Sequence, residues 1–145
     1  MAFGNGKRGK VVRAEAFELT DRAGNVRAML ELEDDGSPRF LLNGPDGAQR
    51  ASLQLKADGT PSLRFRDAGG KGGVVLGLAR NGAGGLSLAD AQGRVLATIA
   101  VDADGSPAVE LSDKQGKVRV RIDVRGGSPK ILVLGPHGSI DWFTP

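Results

Sequence analysis

Six glycines divide the chain at almost even intervals: Gly24, Gly47, Gly70, Gly93, Gly116 and Gly138, with steps of 23, 23, 23, 23 and 22 residues. Most of them close a D-x-x-G corner. A second series, Gly36, Gly59, Gly82, Gly105 and Gly127, keeps the same period. Prolines follow it at Pro38, Pro61, Pro107 and Pro129, with Gly84 where the third is due. Two interleaved series with one period mark an internal repeat, and a period of this length means an array of small stacked units.

Each unit carries two strand-like runs. The first is Phe17-Leu19, Phe40-Leu42, Leu63-Phe65, Leu86-Leu88, Val109-Leu111 and Ile131-Val133, with apolar residues at i and i+2. The second is longer, as in Val26-Ala28-Leu30-Leu32 and Val118-Val120-Ile122-Val124. Polar residues such as Glu31, Gln54, Arg64 and Arg121 stand between them, so one face of each strand is apolar and the other is wet. The aspartates at the corners bond backbone two residues on, and the glycines supply positive φ. Asp35-Gly36, Asp58-Gly59 and Asp104-Gly105 read as short-hairpin dipeptides. Folding back about residues 22–23 sets Leu19 against Val26 and Phe17 against Ala28. Folding about Gly36 sets Leu32 against Phe40 and Leu30 against Leu42. Both registers put the apolar side chains on one side.

The expected fold is therefore all-β: an antiparallel meander of about twelve short strands, two per copy of the repeat, packed through one apolar face. A parallel β-solenoid with one repeat per coil is the alternative. Residues 1–10, MAFGNGKRGK, read as a flexible basic tail, and 11–145 as a single β-repeat domain, with Val11–Ala16 adding a leading strand. The stretch Asp67–Gly85, DAGGKGGVVLGLARNGAGG, is the degenerate copy. It is either a loosened hairpin pair or a bend where the sheet folds over on itself. Its GGKGG lacks the spacing of a phosphate loop and no helix follows.

The composition excludes several functions. Cysteine is absent, so there is no disulfide framework and no thiolate metal site. Aromatics are 4%, leaving Leu, Val and Ile to build the core. The net charge of +3 is spread among alternating acids and bases, so no nucleic-acid partner is expected. No apolar run approaches the roughly 20 residues of a membrane span. The N-terminus has no apolar signal segment, which points to the cytoplasm, or to a particle or filament assembled from it. The single histidine, His137, falls at a corner, and no serine sits in a nucleophile elbow. Each corner offers one acid, too few for calcium. The chain reads as no enzyme, with no catalytic residue, cofactor or metal site.

What remains is the apolar face. Its candidate interface residues are Phe17, Leu30, Phe40, Leu42, Leu53, Leu55, Phe65, Ile99 and Ile122, with Trp142 and Phe143 closing its open end. No segment has helical periodicity, so the cover must be more sheet: the chain's own other half or further copies. The expected function is a non-enzymatic, self-assembling structural protein. A homotrimer is favoured over a dimer, and the free edges allow growth into a filament. The alternative is an adaptor that binds a protein or ligand through the exposed sheet face or the Trp142-Phe143 end.

The pattern F-x-L-x-D-x-x-G-x-x-R-A-x-L-x-L-x-x-D-G-S-P of Phe17–Pro38, met again in Phe40–Pro61 and Leu86–Pro107, resembles small uncharacterised bacterial repeat proteins. The ending Asp141-Trp142-Phe143-Thr144-Pro145 is similar to theirs. The likeness covers about residues 14–145 and implies an architecture, no activity. The corners are also similar to those of YD-repeat proteins, but with no tyrosine in the chain a toxin-shell role is not carried over. Trimeric β-prism shafts of phage tail fibres are a looser likeness, of architecture only.

Overall fold

A computed structural model describes residues 11–143; the expected basic tail, residues 1–10, lies outside them. The described residues form β1 (Ala16–Thr20), β2 (Val26–Leu32), β3 (Pro38–Asn43), β4 (Gln49–Leu55), β5 (Pro61–Arg66), β6 (Gly73–Leu78), β7 (Gly84–Ala89), β8 (Val95–Val101), β9 (Pro107–Ser112), β10 (Val118–Arg125), β11 (Ser128–Leu134) and β12 (Ile140–Phe143). They make one 12-stranded sheet in sequence order, antiparallel between β1 and β2 and at every later step. This is the meander. A solenoid would stack equivalent strands in parallel, and no pair does so. The sheet is open, with β1 and β12 as its edges. The leading strand expected over Val11–Ala16 does not form: residues 11–15 are irregular and β1 begins at Ala16.

The corners explain the period. In the first, the Asp21 N–H donates to the Asn25 carbonyl at 3.0 Å and the Gly24 N–H to the Asp21 carbonyl at 3.0 Å. On the opposite edge Glu33, Ser37 and Gly36 make the same pair of bonds, at 2.9 and 2.8 Å. Both are three-residue loops, a tight turn followed by one left-handed residue. That residue is Gly24 at φ 86° and Gly36 at φ 81°, and among the described residues none other than glycine has positive φ. Asp35-Gly36 therefore does not make the two-residue turn that its sequence suggests, because Asp35 would also need positive φ. Among the described residues only Gly126-Gly127, at φ 57° and 80°, has the two left-handed residues of such a turn. The aspartate side chains finish the loops: Asp21 Oδ1 accepts from the Ala23 N–H at 2.9 Å, and Asp35 Oδ1 from the Ser37 N–H at 2.8 Å.

These loops correct the expected register. Leu19 pairs with Ala28 and Phe17 with Leu30. Phe40 opposes Leu30, not Leu32, and Leu42 opposes Ala28. Gly36 is the last residue of its loop rather than the pivot. At the other edge the loop sits later, and a bulge between Leu19 and Thr20 on the ladder leaves Arg27 unpaired. Each shift amounts to two residues. Because side chains alternate with period two, the apolar set stays on one side.

The bulge recurs and carries a second device. The unpaired residues are Arg27, Arg50, Leu96, Arg119 and Asp141, about one repeat or a multiple of it apart. Arg50 pairs with Asp46 of its own corner at 2.6 Å and donates to the Asp67 carbonyl at the next corner, 2.9 Å away. Arg119 pairs with Asp113 at 2.5 Å and donates to the Gly135 carbonyl. Arg27 reaches the Asn43 carbonyl at 3.3 Å and lies 3.8 Å from Asp21. These arginines stitch neighbouring repeats along one edge. The stitch is missing in the middle of the chain, where the equivalent residues are Gly73 and Leu96.

The glycine-rich copy is a loosened hairpin pair and not a fold-over. β6 pairs with β5 and β7 as an ordinary ladder. Each strand touches only its neighbours in sequence, so the two halves do not face one another. Gly73 is required there: at φ 147°, a Cβ would stand 1.9 Å from the Phe65 carbonyl oxygen.

Two outcomes follow from these corners. Gly24→Ala, with open space around its Cβ, costs about 1–2 kcal/mol for the left-handed φ alone. Gly73→Ala must also displace the β5 backbone, so its thermal midpoint falls well below that of Gly24→Ala; equal midpoints contradict the close approach. The second outcome concerns acid. Hydrogen bonds from the Asn25 side chain to Asp21, the Thr60 hydroxyl to Asp58, the Arg94 guanidinium to Asp90 and the Ser106 N–H to Asp104 hold these carboxyls below their ordinary value. A carboxyl depressed in the folded state stabilises it above its unfolded pKa of about 4, and the gain is lost as pH falls through the folded value. Melts followed by circular dichroism should hold a plateau above about pH 4 and decline below it.

Candidate functional site

The ladder pairs assemble the apolar residues into continuous rows across the sheet. One row runs Phe17, Leu30, Phe40, Leu53, Leu63, Leu76, Leu86, Ile99, Val109, Ile122 and Ile131, one residue from each of β1 to β11. A second alternates larger with smaller residues through most of its length: Leu19, Ala28, Leu42, Ala51, Phe65, Val74, Leu88, Ala97, Leu111, Val120, Val133 and Trp142. A third lies near the other edge, where Leu55 opposes Pro61 and Val101 opposes Pro107. Phe17, Leu30, Phe40, Leu53, Ile99 and Ile122 thus share the first row, Leu42, Phe65 and Trp142 the second, and Leu55 the third. Phe143 pairs with Leu132 along the backbone ladder, and its side chain lies outside what the structure describes.

None of the described residues covers these rows. Phe17 is 48% exposed, Leu53 54%, Leu76 50% and Ile99 55%. The one buried large hydrophobic residue among those described, Leu41, lies on the other face. At roughly 90 Å² for each half-exposed large side chain, the rows offer roughly 1,500 Å² of apolar surface, several times the largest patch of an ordinary monomer. The face is corrugated. One hollow of about 430 Å³ lies between Leu53, Leu63, Leu76 and Leu78, where Gly77 and Gly85 thin the sheet. Another of about 280 Å³ lies between Leu30, Phe40, Leu53 and Leu55.

The wet face is tied up by charge. Arg39 pairs with Glu31 at 2.5 Å and Glu33 at 2.6 Å, and Gln54 donates to Glu33. Arg121 pairs with Glu110 at 2.7 Å and with buried Asp123 at 2.5 Å. The bonds to Glu31 and Asp123 hold the Arg39 and Arg121 guanidiniums above their ordinary pKa. Here the side chains lean on one another, so residues of this polar face are better shielded than the leucines opposite.

Among the described residues no group of His, Asp and Glu is arranged to hold a metal ion, and no helix is long and apolar enough to cross a membrane. His137 is exposed in its turn. Reading the sequence missed the arginine stitches, although Arg27, Arg50 and Arg119 recur on the repeat period and carried the signal. Neither a protein-family model nor a curated protein matches this chain.

Proposed function

We propose that the chain is a non-enzymatic structural protein that works as a closed homo-oligomer, its copies sealing their apolar faces against one another. The observation that carries this reading is the uncovered three-row face in a sheet with no second layer. A domain needs two layers around its core, and the described residues supply one. The second copy is the natural cover because it brings the same surface: aliphatic, of matching length and nearly free of charge. Roughly 1,500 Å² from each copy exceeds the roughly 800 Å² per partner of a standard stable interface.

Geometry favours three copies over two. Strands of six residues, such as β3 and β5, span roughly 20 Å. Three ribbons of that width around a common axis enclose a triangular core whose walls stand roughly 6 Å from the centre. That is close to half the roughly 10 Å at which facing sheets pack. The charged face then points to water. The sheet has 12 strands, so β12 of one copy and β1 of the next would be antiparallel, and joining edges end to end would continue the meander into a filament. The likeness to D-x-x-G bacterial repeat proteins belongs to the same reading.

Leu53 stands in the middle of the first row and is 54% exposed in the single chain. Leu53→Asp therefore strands a charge in the shared core while disturbing little of the ladder. Light scattering on size-separated protein should show a concentration-independent multimer for the native chain, and for Leu53→Asp a smaller species or aggregate of much lower thermal midpoint. A native monomer, or a variant multimer of unchanged midpoint, overturns the proposal.

A further inference from the structure

Among the described arginines on strands, only Arg64 and Arg66 have no carboxylate partner. Arg27, Arg39, Arg50, Arg119, Arg121 and Arg125 each have one within ion-pair distance. Both exceptions are on β5 and two residues apart, so they share one side of that strand. It is the wet side, since Arg64 pairs with Ser52 and Val75 in the row opposite to the leucines. The Arg64 Nε is buried and donates to nothing. A guanidinium N–H taken out of water with no acceptor is costly, and a group left in that state calls for a partner.

The wet face is hollowed on either side of the Arg64 side chain. A hollow of about 230 Å³ is bounded by Arg39, Arg64, Arg66, Ser52, Gln49 and Gln54. A smaller one of about 150 Å³ adjoins Arg64, Arg66 and Lys71 of the glycine-rich corner. No acid lines either. Of the four cations, only Arg39 has its charge met, by Glu31 and Glu33. Two guanidiniums with no carboxylate partner, beside hydroxyl and amide groups, are the donor set for an oxyanion.

We propose that the Arg64–Arg66 hollow on the charged face is a binding site for an oxyanion: a phosphate, sulfate or carboxylate group, free or carried on a larger molecule. It uses the face opposite to the apolar rows, and it stands whether or not the copies associate. The glycine loop beside it contributes Lys71 and room, not a helix terminus, so the site is a cation cradle and not a nucleotide phosphate loop.

The test is a titration of the full chain in chloride buffer with inorganic phosphate, then with sulfate, followed by the arginine Nε–H resonances. The expected result is a saturable shift of the Arg64 and Arg66 signals, with Arg94 unmoved, and a rise in melting temperature. Arg64→Gln/Arg66→Gln should weaken the binding at least tenfold with strand content unchanged. Arg64→Lys/Arg66→Lys keeps the charge and should recover it only in part. Dextran sulfate set against neutral dextran and free sulfate separates the two sources: tighter binding of the charged polymer than of free sulfate assigns an oxyanion carried on a larger molecule, equal binding a free ion. Arg64 signals that do not move, a shift spread over all arginines, or undiminished binding by the glutamine variant overturns the proposal.

Discussion

The alternation of side chains along a strand is the constraint from which this structure follows. With period two, a strand that places Leu or Phe at every other position commits all of them to one side, and pairing strands in sequence order commits every copy to the same side. The result is a surface that water opposes throughout. Hydrogen bonding alone can hold the ladder together, since every strand from β2 to β11 has two neighbours. It cannot make the ladder stable on its own, because the main favourable term in folding is the removal of apolar area from water. Among the described residues the backbone ladder is complete, while the apolar face is left uncovered.

Most of the architecture could be read from particular residues. Gly24 and its periodic equivalents fix one edge, and Gly36 and its equivalents fix the other. Phe17-Leu19 and Leu30-Leu32 set the parity. The pairing partners were not legible. Whether Asp35-Gly36 forms a two- or a three-residue loop depends on the φ of Asp35, which the sequence leaves free. The extra residue at Arg27 is invisible without the ladder. Parity protected the face assignment from both errors, because each moved the register by an even number. The aliphatic rows thus kept the side expected of them, although Leu30 meets Phe17 and Phe40 where Leu42 was expected.

The glycine-rich centre was ambiguous for a related reason. Glycine permits both a bend and a flat close approach, and only the Phe65 carbonyl against Gly73 decides between them. The wet face was harder still. Arg39, Arg64 and Arg121 look equivalent in the sequence, each standing between apolar neighbours. Cross-strand placement separates them: Glu31 comes opposite Arg39 and Glu110 opposite Arg121, whereas Arg64 finds Ser52 and Val75.

The arginine stitches have a mechanical side. Where Arg50 and Arg119 clamp adjoining corners, twisting one repeat against the next stretches guanidinium–carbonyl hydrogen bonds as well as the backbone ladder. Between Gly73 and Leu96 only the ladder resists. The ribbon is thus stiff toward both ends and compliant at its waist, so torsion imposed on a long assembly would collect there, beside the unpaired Arg64 and Arg66.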